Sequence, residues 1–140
     1  DYRKNQINTA LEMVIQKTIA GFLNSGGGRL IIGVSDEGEV LGIENDYPFL
    51  KKKDKDGFEL KLLQLVTNAI GPEFSHFVQV FFFEIQGKEI CVADIEGANA
   101  PAYVKENKDT TFYIRAGNST KPLTVKQAVN YINMSNLFTN

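Results

Sequence analysis

The sequence predicts an α+β fold, a mixed and mostly antiparallel sheet of about five or six strands with helices packed against it. Three observations predict it. Apolar residues recur at helical spacing from Thr9 to Leu23; two apolar runs, Val78 to Ile85 and Glu89 to Ile95, flank the turn Gln86, Gly87, Lys88; and Gly26, Gly27 and Gly28 carry the chain from helix to strand within a few residues. An all-helical or sandwich fold contradicts these periodicities.

The first helix has its apolar face at Leu11, Val14, Ile15, Thr18, Ile19 and Phe22, and Thr9 with Glu12 has the form of a capping box at its start. The glycines that follow face a helix C-terminus, whose orphan carbonyls repel anions. They therefore make a turn rather than a phosphate cradle, which needs glycines opening a helix. Arg29 to Val34 is a β-branched strand, and Ser35 to Gly38 turns it back into a second strand, Glu39 to Ile43. Asn45 to Asp56 lacks periodicity and is an exposed connection. Asp56 with Glu59 caps a second helix built on Phe58, Leu62, Leu65, Val66 and Ala69, which ends at Gly71 and Pro72. The two strands of the central hairpin are apolar on both sides and are expected inside the sheet, covered on both faces. Tyr103 and Val104 begin a short strand, Lys105 to Thr111 is a polar loop, Phe112 to Arg115 a strand, and Ala116 to Pro122 a second polar loop. Thr124 with Gln127 caps a last helix whose apolar side is Val125, Ala128, Val129 and Ile132.

One hundred and forty residues make one domain that needs no disulfide or metal to hold it. The single cysteine, Cys91, lies in an apolar run and reads as a buried strand thiol. One cysteine and one histidine do not supply a Cys/His zinc site. With no apolar stretch of about 18 residues and no signal-peptide pattern, a cytoplasmic setting without a membrane partner is expected. The net charge of −2 gives no global electrostatic case for nucleic acid, so any basic footprint is local.

Two local features could supply it. Lys51, Lys52, Lys53 and Lys55 form a basic run diluted by Asp54 and Asp56, which reads as a solvated loop or as a phosphate-binding patch. Arg115 at a strand end, followed by Asn118, Ser119, Thr120 and Lys121, offers a guanidinium, hydroxyls, an ammonium and an accessible backbone, the groups a phosphate contact needs. The same residues could instead satisfy their own backbone in a capped loop. Asp36, with Glu37 and Glu39, could hold a divalent cation, although exposed acids at a hairpin tip are commonplace and no partner carboxylates stand at recognisable spacing. His76 reads as a packed or surface histidine, and Phe81, Phe82 and Phe83 as core rather than a base-stacking platform.

The run from Thr18 to Tyr47 together with Phe112 to Thr124 resembles the Schlafen AlbA-like domain family, in its bacterial branch. Its first motif matches Gly21, Phe22, Leu23, Asn24, Ser25, Gly27, Gly28, Leu30, Ile32, Gly33, Val34 and Asp36, continuing to Gly38, Val40 and Gly42; its second matches Phe112, Tyr113, Arg115, Gly117, Ser119 and Thr120. The resemblance implies one such domain over residues 1–140, lacking the family's first strand and excised from a longer protein. It implies a nucleic-acid-binding, DNA-binding module of a bacterial transcriptional regulator or defence protein, working without a cofactor. Phosphates would be contacted through Lys51, Lys52, Lys53, Lys55, Arg115, Asn118, Ser119, Thr120 and Lys121. Some relatives are RNA-cleaving enzymes with three carboxylates, which makes a metal-dependent endoribonuclease the alternative. Asp36 matches the third acid, while the segment that carries the other two has no counterpart ahead of it. A further alternative is an oligomerisation module of a protein described as ATP-binding, with copies pairing through an exposed strand edge.

Overall fold

A computed structural model describes residues 2–138. Helix α1 (Tyr2–Leu23) is longer than expected. Thr9 lies inside it and is not its cap, because no glycine or proline interrupts the chain between Tyr2 and Ala20. After α1 the chain passes through Gly26 (φ 87°) and Gly27 (φ 96°) into β1 (Gly27–Ile32). A Cβ at Gly27 would stand 2.5 Å from the Ile95 carbonyl oxygen, so the turn also needs glycine for close approach.

The expected strand over Glu39 to Ile43 is reduced to a single bridge between Val34 and Val40. Gly33 (φ 105°) and Gly42 (φ 80°) bend the chain, the Gly33 carbonyl accepts from both Leu41 and Gly42, and Ile43 then donates to Glu89. The arm is thereby drawn across the end of a different strand. A 3₁₀ helix (Glu44–Phe49) occupies part of the connection read as irregular, and α2 (Lys55–Ala69) follows. Its cap is Asp54, whose Oδ1 accepts from Gly57 at 2.9 Å, and not Asp56.

After a second 3₁₀ helix (Pro72–Phe77), β2 (Val78–Ile85) and β3 (Lys88–Glu96) form the central hairpin. The first sheet is antiparallel in the order β1-β3-β2. Its inner face sends Leu30, Ile32, Val80, Phe82, Cys91, Ala93 and Ile95 toward α1 and α2. Among the described residues no helix covers the outer face, so the hairpin is not covered on both faces: Phe81, Phe83, Ile85 and Ile31 are exposed. Only Phe82 of the three phenylalanines is core, which corrects the reading of Phe81 and Phe83.

The second antiparallel sheet is β4 (Tyr103–Glu106), β5 (Asp109–Ala116) and β6 (Ser119–Leu123). Both polar loops expected around β5 are tight hairpin turns, with Asn107 (φ 56°) and Gly117 (φ 62°) in the left-handed region. The α+β class holds, with six strands divided between two sheets. One core joins them: Ile19, Ala20 and Leu23 of α1, Leu62, Val66 and Ala69 of α2, and Val104 and Tyr113 of the second sheet. Helix α3 (Val125–Met134) starts at the expected capping box of Thr124 and Gln127. Its expected apolar side is only partly covered, however: Ala128 is buried and Ile132 half-buried, whereas Val125 is 82% and Val129 49% exposed. The helix is attached instead through Tyr131, whose hydroxyl donates to the Asn24 carbonyl at 2.7 Å and whose ring lies 5.8 Å from that of Phe112.

Candidate functional site

The two motifs singled out in the sequence, far apart along the chain, interlock in space. Asn24, just past α1, is fully buried, and its side chain makes three hydrogen bonds to backbone, using both of its donors and its oxygen. Its amide nitrogen donates to the carbonyls of Ala102 and Tyr113, both at 2.8 Å, and its oxygen accepts from the Ala102 N–H at 2.8 Å. Ser25 adds a fourth tie, its hydroxyl accepting from the Arg115 N–H at 2.9 Å. The end of α1 is thus riveted to β5 by polar groups that would be costly to bury unpaired.

Arg115 sits on this scaffold. Its guanidinium lies 5.0 Å from the centre of the Phe22 ring, and Nη1 donates to the Thr120 hydroxyl at 2.8 Å, closing the β5–β6 hairpin from within. Its Nε is buried with no hydrogen-bond partner. Gly21 lets α1 approach the hairpin, since a Cβ there would stand 3.3 Å from the Ile114 backbone and the Thr120 methyl. Beyond this half-buried base the turn reaches solvent: Gly117, Asn118, Ser119 and Lys121 are exposed, with Ser119 Oγ donating to the Ala116 carbonyl at 3.3 Å. Arg115 and Thr120 are therefore held inside, while Asn118, Ser119 and Lys121 point outward.

The second basic feature lies between the first 3₁₀ helix and α2. Lys51, Lys52, Lys53 and Lys55 are all exposed, and Lys52 pairs with Asp56 at 3.5 Å on the surface. The close fold of this segment depends on Gly57, where a Cβ would fall 1.6 Å from the Lys52 carbonyl oxygen. No hydrogen bond or ion pair among the described residues joins the lysine run to the Arg115 hairpin.

Asp36 is exposed at its turn, where Ser35 Oγ accepts from Glu39 at 3.0 Å. Among the described residues no three His, Cys, Asp or Glu side chains gather where they could hold a metal ion. His76 is exposed and stacks on Phe77 with ring centres 4.4 Å apart. Cys91 is fully buried as expected, and burial pushes its thiol up to about 12. A polar cluster unforeseen in the sequence stands on the same, α1-facing side of the second sheet, farther along β5. Glu106 accepts from the Tyr113 hydroxyl and from Thr111 at 3.1 Å, and Lys17 of α1 is 3.7 Å away. The Tyr113 hydrogen bond, with help from Thr111 and Lys17, holds the Glu106 carboxyl below the usual range.

Asn24 and Ser25 stand in the motif without a role assigned from the sequence, and Phe22 is read there only as part of the helix's apolar face. Their signal was indirect: a polar pair immediately after an apolar helical face, in a stretch that must be buried if the helix packs.

Among protein families, the model of the family described as Schlafen, AlbA_2 matches residues 1–124. The fold is similar to that of the DIP2311 protein from Corynebacterium diphtheriae, known from a crystal structure, with a TM-score of 0.57 and 19% sequence identity. That similarity covers 82% of this chain but 20% of the other, so the chain spans about a fifth of that protein's length. No curated protein matches the chain. No helix among the described residues is long and apolar enough to cross a membrane.

Proposed function

Because the chain belongs to the Schlafen AlbA_2 family, we propose that it is a nucleic-acid-binding module that works within a longer bacterial regulator or defence protein. The observation that carries this reading is the β5–β6 hairpin. Its tip presents Asn118, Ser119 and Lys121 to solvent, while Arg115 and Thr120, braced on Phe22, fix the geometry beneath. Exposed hydroxyl, amide and ammonium groups on a rigid turn are suited to phosphate oxygens, which accept charge-assisted hydrogen bonds. Lys51, Lys52, Lys53 and Lys55 supply a second exposed cationic stretch, with Asp56 drawing off part of the charge of Lys52.

Contacts of this type position a protein on a backbone and carry no base information, so binding is expected to tolerate sequence and to weaken with salt. Fluorescence anisotropy with labelled single-stranded DNA, duplex DNA and RNA tests the reading. If about four phosphates are neutralised, affinity falls roughly a hundredfold between about 50 and 200 mM salt. A folded protein that binds none of the three at the lower salt rules the reading out.

A further inference from the structure

We propose that β2 is a self-pairing edge, through which two copies of the chain join antiparallel to form one six-stranded sheet. β2 is a terminal strand, laddered to β3 alone. Its free side presents backbone N–H and C=O groups that a further strand can take up. The other terminal strands are blunted. β1 opens on Gly27 and Gly28 and carries Arg29; β4 has four residues, of which Lys105 and Glu106 are charged; and β6 holds Lys121 and Pro122, the latter unable to donate to a ladder. By contrast, β2 runs from Val78 to Phe83 without charge, proline or glycine, and carries only Glu84 before Ile85. Its outer face leaves Phe81 44%, Phe83 53% and Ile85 40% exposed.

The occupant is a second copy because the strand complements itself. A two-fold axis through Phe82, perpendicular to the sheet, keeps outer face with outer face, as the period of two requires. It sets Phe81 of each copy opposite Phe83 of the other, Gln79 opposite Ile85, and Val80 opposite Glu84. The one charge on the strand then meets a valine and never its own counterpart, so no like charges oppose. Cross-strand Cβ atoms stand about 4.5–5.5 Å apart in such pairs, which brings both phenylalanine pairs into contact. Centring the axis on Phe81 instead would place Gln79 opposite Phe83 and lose this double pairing.

The proposal is independent of nucleic-acid binding. A single strand edge is a small interface, so association is expected to depend on concentration. Sedimentation velocity should show the chain passing from monomer toward dimer between about 5 and 500 µM. Phe83→Lys, at an exposed position, should stay monomeric throughout with an unchanged circular dichroism spectrum. Phe81→Cys and Phe83→Cys variants, oxidised separately and as a mixture, test the register: the mixture should yield several times more cross-linked dimer than either alone, with buried Cys91 inert. A monomer at every concentration, a Phe83→Lys protein that still dimerises, or equal cross-linking in all three samples overturns the proposal. So does a wild type that remains monomeric while Phe83→Lys abolishes oligonucleotide binding, which would make this face a base-stacking surface instead.

Discussion

The Arg115 guanidinium stands 5.0 Å from the centre of the Phe22 ring, and that ring in turn fills the space where Gly28 has no side chain. A Cβ on Gly28 would lie 2.3 Å from two carbons of the ring. Gly28 is therefore coupled through Phe22 to the base of the β5–β6 hairpin. Gly28→Ala is expected to destabilise the protein by about 1–3 kcal/mol, the range for overpacking. In a Phe22→Ala background the same substitution should cost far less, because its obstacle has gone. Urea unfolding of the two single variants and the double variant measures the coupling, and additive effects would refute it.

Asn24 makes three side-chain hydrogen bonds to backbone at 2.8 Å in a fully buried position. Asn24→Leu leaves the Ala102 N–H and the carbonyls of Ala102 and Tyr113 without these partners. A loss of about 2–4 kcal/mol is expected, since orphaned buried groups bear their full desolvation penalty. Asn24→Asp is informative because it retains the acceptor for Ala102 N–H while turning both donations into repulsions. It should be no better than leucine; a near-native midpoint for either variant would show that the clamp is dispensable.

The fold was legible where one periodicity ruled. The first helix, the glycine turn, the central hairpin and the Thr124–Gln127 capping box all rest on local patterns, and the structure keeps them, with α1 extended at its start and with Leu11 and Val14 of its expected apolar face exposed rather than packed. What escaped was set by partners distant in sequence. An apolar run such as Val78 to Ile85 does not reveal that only three strands make up its sheet, so the exposure of Phe81 and Phe83 could not be read from composition. Likewise, the polar run Gly117 to Lys121 looks like loop until β6 is seen pairing with β5. The sequence places the cap of α2 at Asp56, two residues late, because the cap is decided by the close approach of Gly57 to the Lys52 carbonyl and its bond to Asp54, which composition does not show. At the candidate site, residue types were visible but their division of labour was not: Arg115 faces inward to Phe22 and Thr120, and Lys121 faces solvent.

Glu106 ties β4 to β5 and α1, and its carboxyl is held below its ordinary value of 4.5 by the Tyr113 hydroxyl, Thr111 and Lys17. A folded-state value below the unfolded one means that the unfolded chain binds the proton more readily. The stabilisation is therefore complete above about pH 4.5 and is lost as pH falls through the lower folded-state value. Thermal melts from pH 7 down to pH 3 should show this acid limb. Glu106→Gln should be less stable near neutrality and should flatten the limb; an unchanged pH profile would show that the cluster is unimportant.

Lys121 and Arg115 occupy the same hairpin and should fail in different ways. The lysine is exposed, so Lys121→Ala should leave the unfolding midpoint nearly unchanged while reducing oligonucleotide affinity. If it contacts one phosphate, the slope of log affinity against log salt should become shallower by about 1. Arg115 braces the turn against Phe22 and Thr120, so Arg115→Met should lower stability and affinity together by loosening the presentation of Asn118, Ser119 and Lys121. Arg115→Lys distinguishes bracing from charge, because lysine keeps the cation but loses the planar fork that reaches Thr120 while lying over the ring. Bracing predicts that it behaves like methionine in unfolding experiments. If it restores stability in full, the guanidinium geometry is irrelevant; if Lys121→Ala binds as well as wild type at every salt concentration, the exposed turn is not where phosphate is held.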